Sequence, residues 1–143
     1  MKSDLNRFLK AQEKDFENAL AEIKSGKKES HWMWYIFPQI KGLGFSQMSI
    51  YYSIQNIKEA KDYLDHPILG SRLKEITLEV LTLKENNATR VFGIPDNLKL
   101  KSSMTLFASV NTSDDNIFEK VLQKFFKGQF DEKTIDLIKN SKK

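Results

Sequence analysis

Apolar residues recur at intervals of three and four along most of this 143-residue chain. The clearest example is the stripe formed by Leu69, Leu73, Ile76, Val80 and Leu83. That spacing places apolar side chains on one face of an α-helix, whereas a half-buried β-strand requires strict alternation. No long run of β-branched residues and no Asn-Gly or Asp-Gly hairpin turn interrupts the pattern. The sequence therefore predicts an all-α fold.

Candidate caps and glycines divide the chain into roughly eight short to medium helices. Ser46, Asn56 and His66 precede helical stretches, where such side chains accept hydrogen bonds from the first free backbone N–H groups. Gly26 follows another stretch, at a position where glycine takes the left-handed backbone that ends a helix. We find no internal repeat and no interdomain linker, and this length suits one hydrophobic core. Residues 1–143 are therefore expected to form a single compact domain.

Composition limits the classes of function that are open to the chain. It has no cysteine, which excludes disulfides, thiol chemistry and zinc sites built on thiolate. The first residues are charged and lack the apolar region of a signal peptide, and the longest apolar run is too short for a membrane span. We therefore expect a cytoplasmic protein without a membrane partner.

The net charge of +4 invites a nucleic-acid interpretation. Acidic residues are interleaved with the lysines, however, and the only arginines are Arg7, Arg72 and Arg90. Because specific recognition of bases relies on arginine forks, we do not expect a nucleic-acid partner.

Motifs for metal and cofactor chemistry are missing from the sequence. The two histidines, His31 and His66, each lack a second ligand one helical turn away. There is no H-E-x-x-H motif, no calcium-binding loop and no G-x-S-x-G nucleophile elbow. The segment "GLGFSQ" begins like a dinucleotide-binding motif but has Gln47 where the third glycine belongs. We therefore predict no metal site and no cofactor.

The aromatic segment "SHWMWYIFPQIKGLGFS" is the most unusual in the chain. Ser30 is a candidate N-cap for a helix over residues 31–37, on which His31, Trp34 and Tyr35 would share one face. A helix that is apolar all round is normally buried, which makes a structural role one interpretation. Alternatively, polar atoms beside large flat rings suit a planar ligand such as a nucleobase. In an enzyme, His31 would be the best general base, since histidine exchanges protons near neutral pH.

Two glycines end this segment. Gly42 and Gly44 leave the backbone unshielded just before the candidate helix start at Ser46. Free N–H groups and the positive end of a helix dipole would attract an anion there, and Lys41 adds a positive charge. The alternative is a turn between helices that needs glycine for a positive φ.

A second group of polar residues lies in the predicted helix "DNLKLKSSMTLF". On a helical wheel, Asp96, Lys99 and Ser103 lie at or near the margin of the apolar stripe that includes Leu100 and Met104. Polar groups at such a margin are half-buried and require partners. The simplest interpretation is an Asp96–Lys99 ion pair with the serine bonded back to its own helix. The alternative is the polar wall of a pocket.

Five stretches of the chain resemble one known family. They are "RFLKAQ", "ALAEIKSGKKESHWMWYIFPQIKGLG", "YLDHPILGSRL", "VFGIPDNLKLKSSMTLF" and "FFKGQFDEKTIDLI". In this order they cover nearly the whole chain, which is similar to the bacterial family 1810 of domains of unknown function. The resemblance implies an all-α fold of its own type and no particular activity. Members are sometimes labelled calpastatin, but calpain-inhibiting segments are disordered and proline-rich, unlike this helical chain with three prolines.

Together these features favour a domain that binds a small anionic or planar metabolite, such as a nucleotide. The pocket is predicted where the 31–46 segment meets the 96–107 helix, and whether it catalyses a reaction stays open. One alternative is a protein-interaction module with an exposed aromatic patch. Another is a lysine-mediated nucleic-acid accessory protein, whose binding would fall steeply with salt. The predicted ligand-binding residues are His31, Trp34, Tyr35, Lys41, Gly42, Gly44, Asp96, Lys99 and Ser103.

Overall fold

A computed structural model describes residues 4–141 of the chain. Nine helices and one isolated backbone bridge make up the regular structure of these residues, which confirms the predicted all-α fold. None of these helices is long and apolar enough to cross a membrane. The helices are α1 (Asn6–Lys24), α2 (Met33–Ile36), α3 (Gln47–Tyr51), α4 (Ile57–Asp65), α5 (Leu69–Thr82), α6 (Ala88–Phe92), α7 (Asp96–Val110), α8 (Ile117–Phe126) and α9 (Glu132–Ser141).

Helix α7 lies at the centre of the core. Nine of its 15 residues are buried, including the predicted stripe of Leu100, Met104 and Phe107. It packs against α4, α6, α8 and α9, while α5 packs against α1, α4 and α8. Each large apolar side chain buried in this way contributes about 1.5–3 kcal/mol. The first turn of α7, which carries Asp96 and Lys99, is thereby fixed relative to the rest of the molecule.

The turn between α4 and α5 shows how closely the helices pack. The His66 imidazole nitrogen Nδ1 accepts hydrogen bonds from the backbone N–H groups of Ile68 at 3.1 Å and Leu69 at 3.2 Å. The predicted capping role of His66 is therefore present. Gly70 follows in the first turn of α5, where a Cβ atom would lie only 2.0 Å from the backbone oxygen of Leu64. Only glycine fits at this position.

The loop between α2 and α4 is tied to the core at its base. Ile40 and Ile54 form the isolated parallel bridge that brings its two ends together. Arg7 of α1 reaches this loop, where its Nε atom donates to the backbone oxygen of Tyr51 at 2.8 Å. The same guanidinium lies 2.6 Å from the Glu59 carboxylate. The buried ion pair and the bridge therefore hold the loop that contains α3 in a fixed position.

Candidate functional site

The described residues enclose a cleft of about 360 Å³ between two segments that are distant in sequence. One wall comes from residues 28–34, which lead from α1 into α2. The other comes from residues 92–99, at the end of α6 and the start of α7. Both walls are attached to helices of the core, so their relative position is set by core packing. The cleft is lined by Lys28, Glu29, His31, Met33, Trp34, Phe92, Ile94, Pro95, Asp96 and Lys99.

One side of the cleft is apolar. The half-buried Trp34 and the buried Phe92 both line it, and Phe92 is held by an edge-to-face contact of 6.0 Å with the Phe37 ring. Ile94 completes this side and is 77% exposed. Apolar walls with a few polar groups nearby are typical of sites for small molecules.

The polar side is organised around Asp96. Its carboxylate lies 2.8 Å from the Lys28 ammonium and 3.6 Å from the Lys99 ammonium, so the predicted Asp96–Lys99 pair is present. The Lys28 side chain is only 6% exposed and also donates to the backbone oxygen of Ser30. The Lys99 side chain is 21% exposed, and its ammonium lies 5.2 Å from the centroid of the Trp34 ring, a cation–π distance. Lys28 is therefore held by several partners, and Lys99 is the more available cation.

His31 lies at the mouth of the cleft and is exposed. Its imidazole makes no hydrogen bond to any residue that the structure describes. It precedes α2, because Trp32 has φ −134° and ψ 3°, outside the helical range. The prediction that His31, Trp34 and Tyr35 share one face of a helix over residues 31–37 is therefore wrong. The helix begins only at Met33 and ends at Ile36.

Glu22 anchors the segment that carries His31, and the sequence analysis missed it. The Glu22 carboxylate accepts hydrogen bonds from the backbone N–H groups of Glu29 at 2.6 Å and Ser30 at 2.9 Å. It also accepts from the Ser30 hydroxyl at 2.6 Å and the Trp32 indole N–H at 3.0 Å. Burial alone would raise the pKa of Glu22, but these donors outweigh it and lower the pKa to about 2. Ser30 therefore serves this carboxylate and is not the predicted cap of α2.

Two of the predicted site residues lie in the core and do not line the cleft. The Tyr35 hydroxyl donates to the Asp15 carboxylate, and burial together with that carboxylate raises the pKa of Tyr35. Ser103 is fully buried in α7, and its hydroxyl has no hydrogen-bond partner within residues 4–141. The helix that carries Ser103 thus contributes to the cleft only through its first turn.

The other predicted site residues, Lys41, Gly42 and Gly44, lie in the loop before α3 and are not part of the cleft lining. Gly42 has a φ of +110°, and a Cβ atom there would lie 3.0 Å from the Leu137 side chain. A Cβ atom on Gly44 would lie 2.5 Å from the Cβ atom of Ser49. Both glycines therefore have conformational or packing reasons that fit the turn interpretation.

The cleft thus combines an apolar wall with one available ammonium, an exposed imidazole and two carboxylates, those of Glu29 and Asp96. These groups can contact a flat molecule, pair with an anion and exchange a proton. Over the described part of the chain, no group of three or more histidine, aspartate and glutamate side chains is arranged to hold a metal ion.

Comparison with known proteins gives a family and a fold but no activity. A family model described as "Protein of unknown function (DUF1810)" matches residues 2–138. The conserved hypothetical protein Rv1873 from Mycobacterium tuberculosis, which has a crystal structure, is 41% identical in sequence to this chain. The match covers 95% of this chain and 96% of that chain, with a TM-score of 0.92. No curated protein matches the sequence.

Proposed function

The chain belongs to the DUF1810 family, whose function is unknown, and we propose that it binds a small planar metabolite with an anionic group in the cleft between residues 28–34 and 92–99. A nucleotide is the best-fitting class. Its base would lie against the apolar wall formed by Trp34 and Ile94, and its phosphate would pair with Lys99. His31 at the mouth would donate to or accept from the ligand.

The observation that carries this proposal is the position of Lys99 beside both Trp34 and Asp96. Its ammonium is 3.6 Å from the Asp96 carboxylate, longer than the 2.8 Å of the Lys28 pair. At 3.6 Å the Lys99 ammonium is beyond hydrogen-bond distance of Asp96, whereas a phosphate in the cleft could accept a charge-assisted hydrogen bond from it. Lys28, at 2.8 Å, then remains as the ionic partner of Asp96.

The arginines support a small ligand over a nucleic acid. Arg7 pairs with Glu59 at 2.6 Å, and Arg90 lies 3.4 Å from the Glu85 carboxylate. The Arg72 guanidinium donates to the Gln12 side chain at 3.5 Å. Arg7 and Arg72 are therefore engaged within the protein, which leaves only Arg90, 74% exposed in a surface ion pair, for the bidentate contacts that recognition of bases favours.

The test is a thermal-shift and calorimetry screen with three matched probes: a nucleoside monophosphate, the same nucleoside, and inorganic phosphate. A ligand at a hundredfold excess over its Kd stabilises the fold by about 2.7 kcal/mol, which raises Tm by about 8 °C for a domain of this size. We expect the nucleotide to bind more tightly than either part alone. No shift with any nucleotide would refute this ligand class.

Two pairs of variants test whether a ligand-induced rise in Tm comes from binding in the cleft. Lys99→Met should weaken nucleotide binding about tenfold, since a hydrogen bond to a charged group is worth about 1.5 kcal/mol or more, and Lys101→Met on the same helix should not. His31→Ala should reduce binding without lowering Tm, because the side chain is exposed. His66→Ala should lower Tm through loss of its cap and leave binding unchanged. Equal effects on binding within either pair would contradict the proposed site.

A further inference from the structure

We propose that the exposed apolar side chains of Phe45, Met48, Ile50 and Tyr51 form the contact face of a homodimer. We call these four side chains the neutral patch. They lie on and just before α3, and none of them lines the cleft of the proposed ligand site. The inference therefore does not depend on the proposed function.

The four side chains of the neutral patch are largely exposed to solvent. Phe45 is 81% exposed, Tyr51 58%, Ile50 56% and Met48 39%. No residue of α3 is buried. Single exposed apolar residues are common, but Met48, Ile50 and Tyr51 line one shared surface and Phe45 lies three positions before Met48. Clusters of large exposed apolar side chains mark sites of association.

The loop that carries the patch is held rigidly. The Ser46 hydroxyl caps α3 by accepting from the Ser49 backbone N–H at 3.1 Å. Ser49 in turn sits against Gly44, where no side chain could be accommodated without a shift. Arg7 holds the end of α3 through the Tyr51 backbone oxygen. A surface that is already ordered loses little conformational entropy on binding, which favours a specific contact.

The charge of the region fits a second copy as the occupant. Residues 42–57 contain no charged side chain, in a chain where 29% of residues are charged. An isologous dimer places the same surface of two copies against itself, so any charge near the axis would face a like charge. An uncharged surface avoids that repulsion. An anionic membrane, in contrast, would be matched by a lysine-rich surface.

The area and the shape of the neutral patch also fit a second copy of the chain. Fully exposed side chains of this size present on the order of 200 Å² each, so the patch offers about 450 Å² of apolar surface per copy. A standard interface buries about 800 Å² per partner, a little over half of it apolar. The patch also combines the projecting Phe45 ring with a shallow groove of about 500 Å³ lined by Gln47, Met48, Ile50 and Tyr51. A projection and a groove on one surface are what a two-fold contact needs.

The test is the mass of the intact protein in solution, measured by light scattering and sedimentation from about 0.1 μM to about 100 μM, a range that spans the micromolar affinity of the weaker standard-size interfaces. We expect a concentration-dependent dimer. Phe45→Ser and Ile50→Ser should each raise the dimer Kd at least tenfold. Leu78→Ser, which changes a side chain that is 48% exposed on α5, serves as the matched control and should leave the Kd unchanged.

The variants should keep the circular dichroism spectrum of the wild type, because the substituted side chains are exposed. A protein that stays monomeric at every concentration would overturn the proposal. So would a dimer that survives Phe45→Ser, or one that Leu78→Ser weakens equally. A monomer that sediments with phosphatidylcholine vesicles through Phe45 would assign the patch to a lipid surface and would also overturn it.

Discussion

Replacement of Glu22 by glutamine tests the anchor of the cleft wall most directly. Glu22 is 9% exposed, and its carboxylate accepts four hydrogen bonds from the segment that contains His31. A fifth donor, the Asn18 side-chain amide, lies at 2.8 Å. Glutamine keeps the shape of the side chain but replaces one acceptor oxygen with an NH₂ group that faces donors. The variant therefore removes the negative charge with little change in volume.

The magnitude follows from the pKa of Glu22, which folding lowers from 4.5 to about 2. A lowered pKa means that the folded state favours the ionised form, so the stabilisation is complete above pH 4.5 and is lost as the pH falls towards 2. At 1.36 kcal/mol per pKa unit, the ionised carboxylate contributes at most about 3 kcal/mol at pH 7. Linkage leaves about 1 kcal/mol of it at pH 3.

The assay is urea unfolding of the wild type and Glu22→Gln at pH 7 and at pH 3. We expect the difference in free energy of unfolding between the two proteins to shrink by about 2 kcal/mol at the lower pH. Glu17→Gln, at an exposed position on the same helix, should stay within about 0.5 kcal/mol of the wild type. If Glu22→Gln lowers the free energy of unfolding equally at both pH values, the negative charge of Glu22 is not what stabilises the fold.

Two further predictions concern the core. Gly70→Ala should lower the free energy of unfolding by about 3 kcal/mol in urea, although alanine normally improves a helix, because its Cβ atom would meet the Leu64 carbonyl. A stabilised variant would contradict the close contact. Thr77→Val should raise Tm, with a gain of about 1 kcal/mol, since the buried Thr77 hydroxyl has no partner among the residues described here. Ser103→Ala should likewise cause no loss, and a loss above about 1 kcal/mol in either variant would indicate a hidden partner.

The local features of the chain were predictable from short stretches of sequence. The His66 cap and the Asp96–Lys99 ion pair involve residues within one helical turn of each other. Ser46 caps α3 and Asn56 caps α4 for the same reason, since a cap acts within three residues. The sequence also directed attention to both segments that line the cleft.

The composition of the cleft was predictable only in part. His31, Trp34, Asp96 and Lys99 all line it, whereas Tyr35 lies in the core. The aromatic segment forms a helix of only four residues, so helical periodicity could not show which side chain points where. The orientation of these side chains depends instead on the parts of the protein that pack around the segment.

Glu22 and Lys28 gave no signal in the sequence, because each resembles the many charged residues of a solvated surface. In the folded chain, the Glu22 carboxylate accepts hydrogen bonds from donors up to ten residues away. Lys28 pairs there with Asp96, which lies 68 positions further along the chain. The amino-acid sequence by itself determined the long helices and the caps at Ser46, Asn56 and His66, since these depend on spacings of three and four residues. Tertiary structure alone decided which charges became buried and which segments face each other across the cleft, because that depends on how the helices pack.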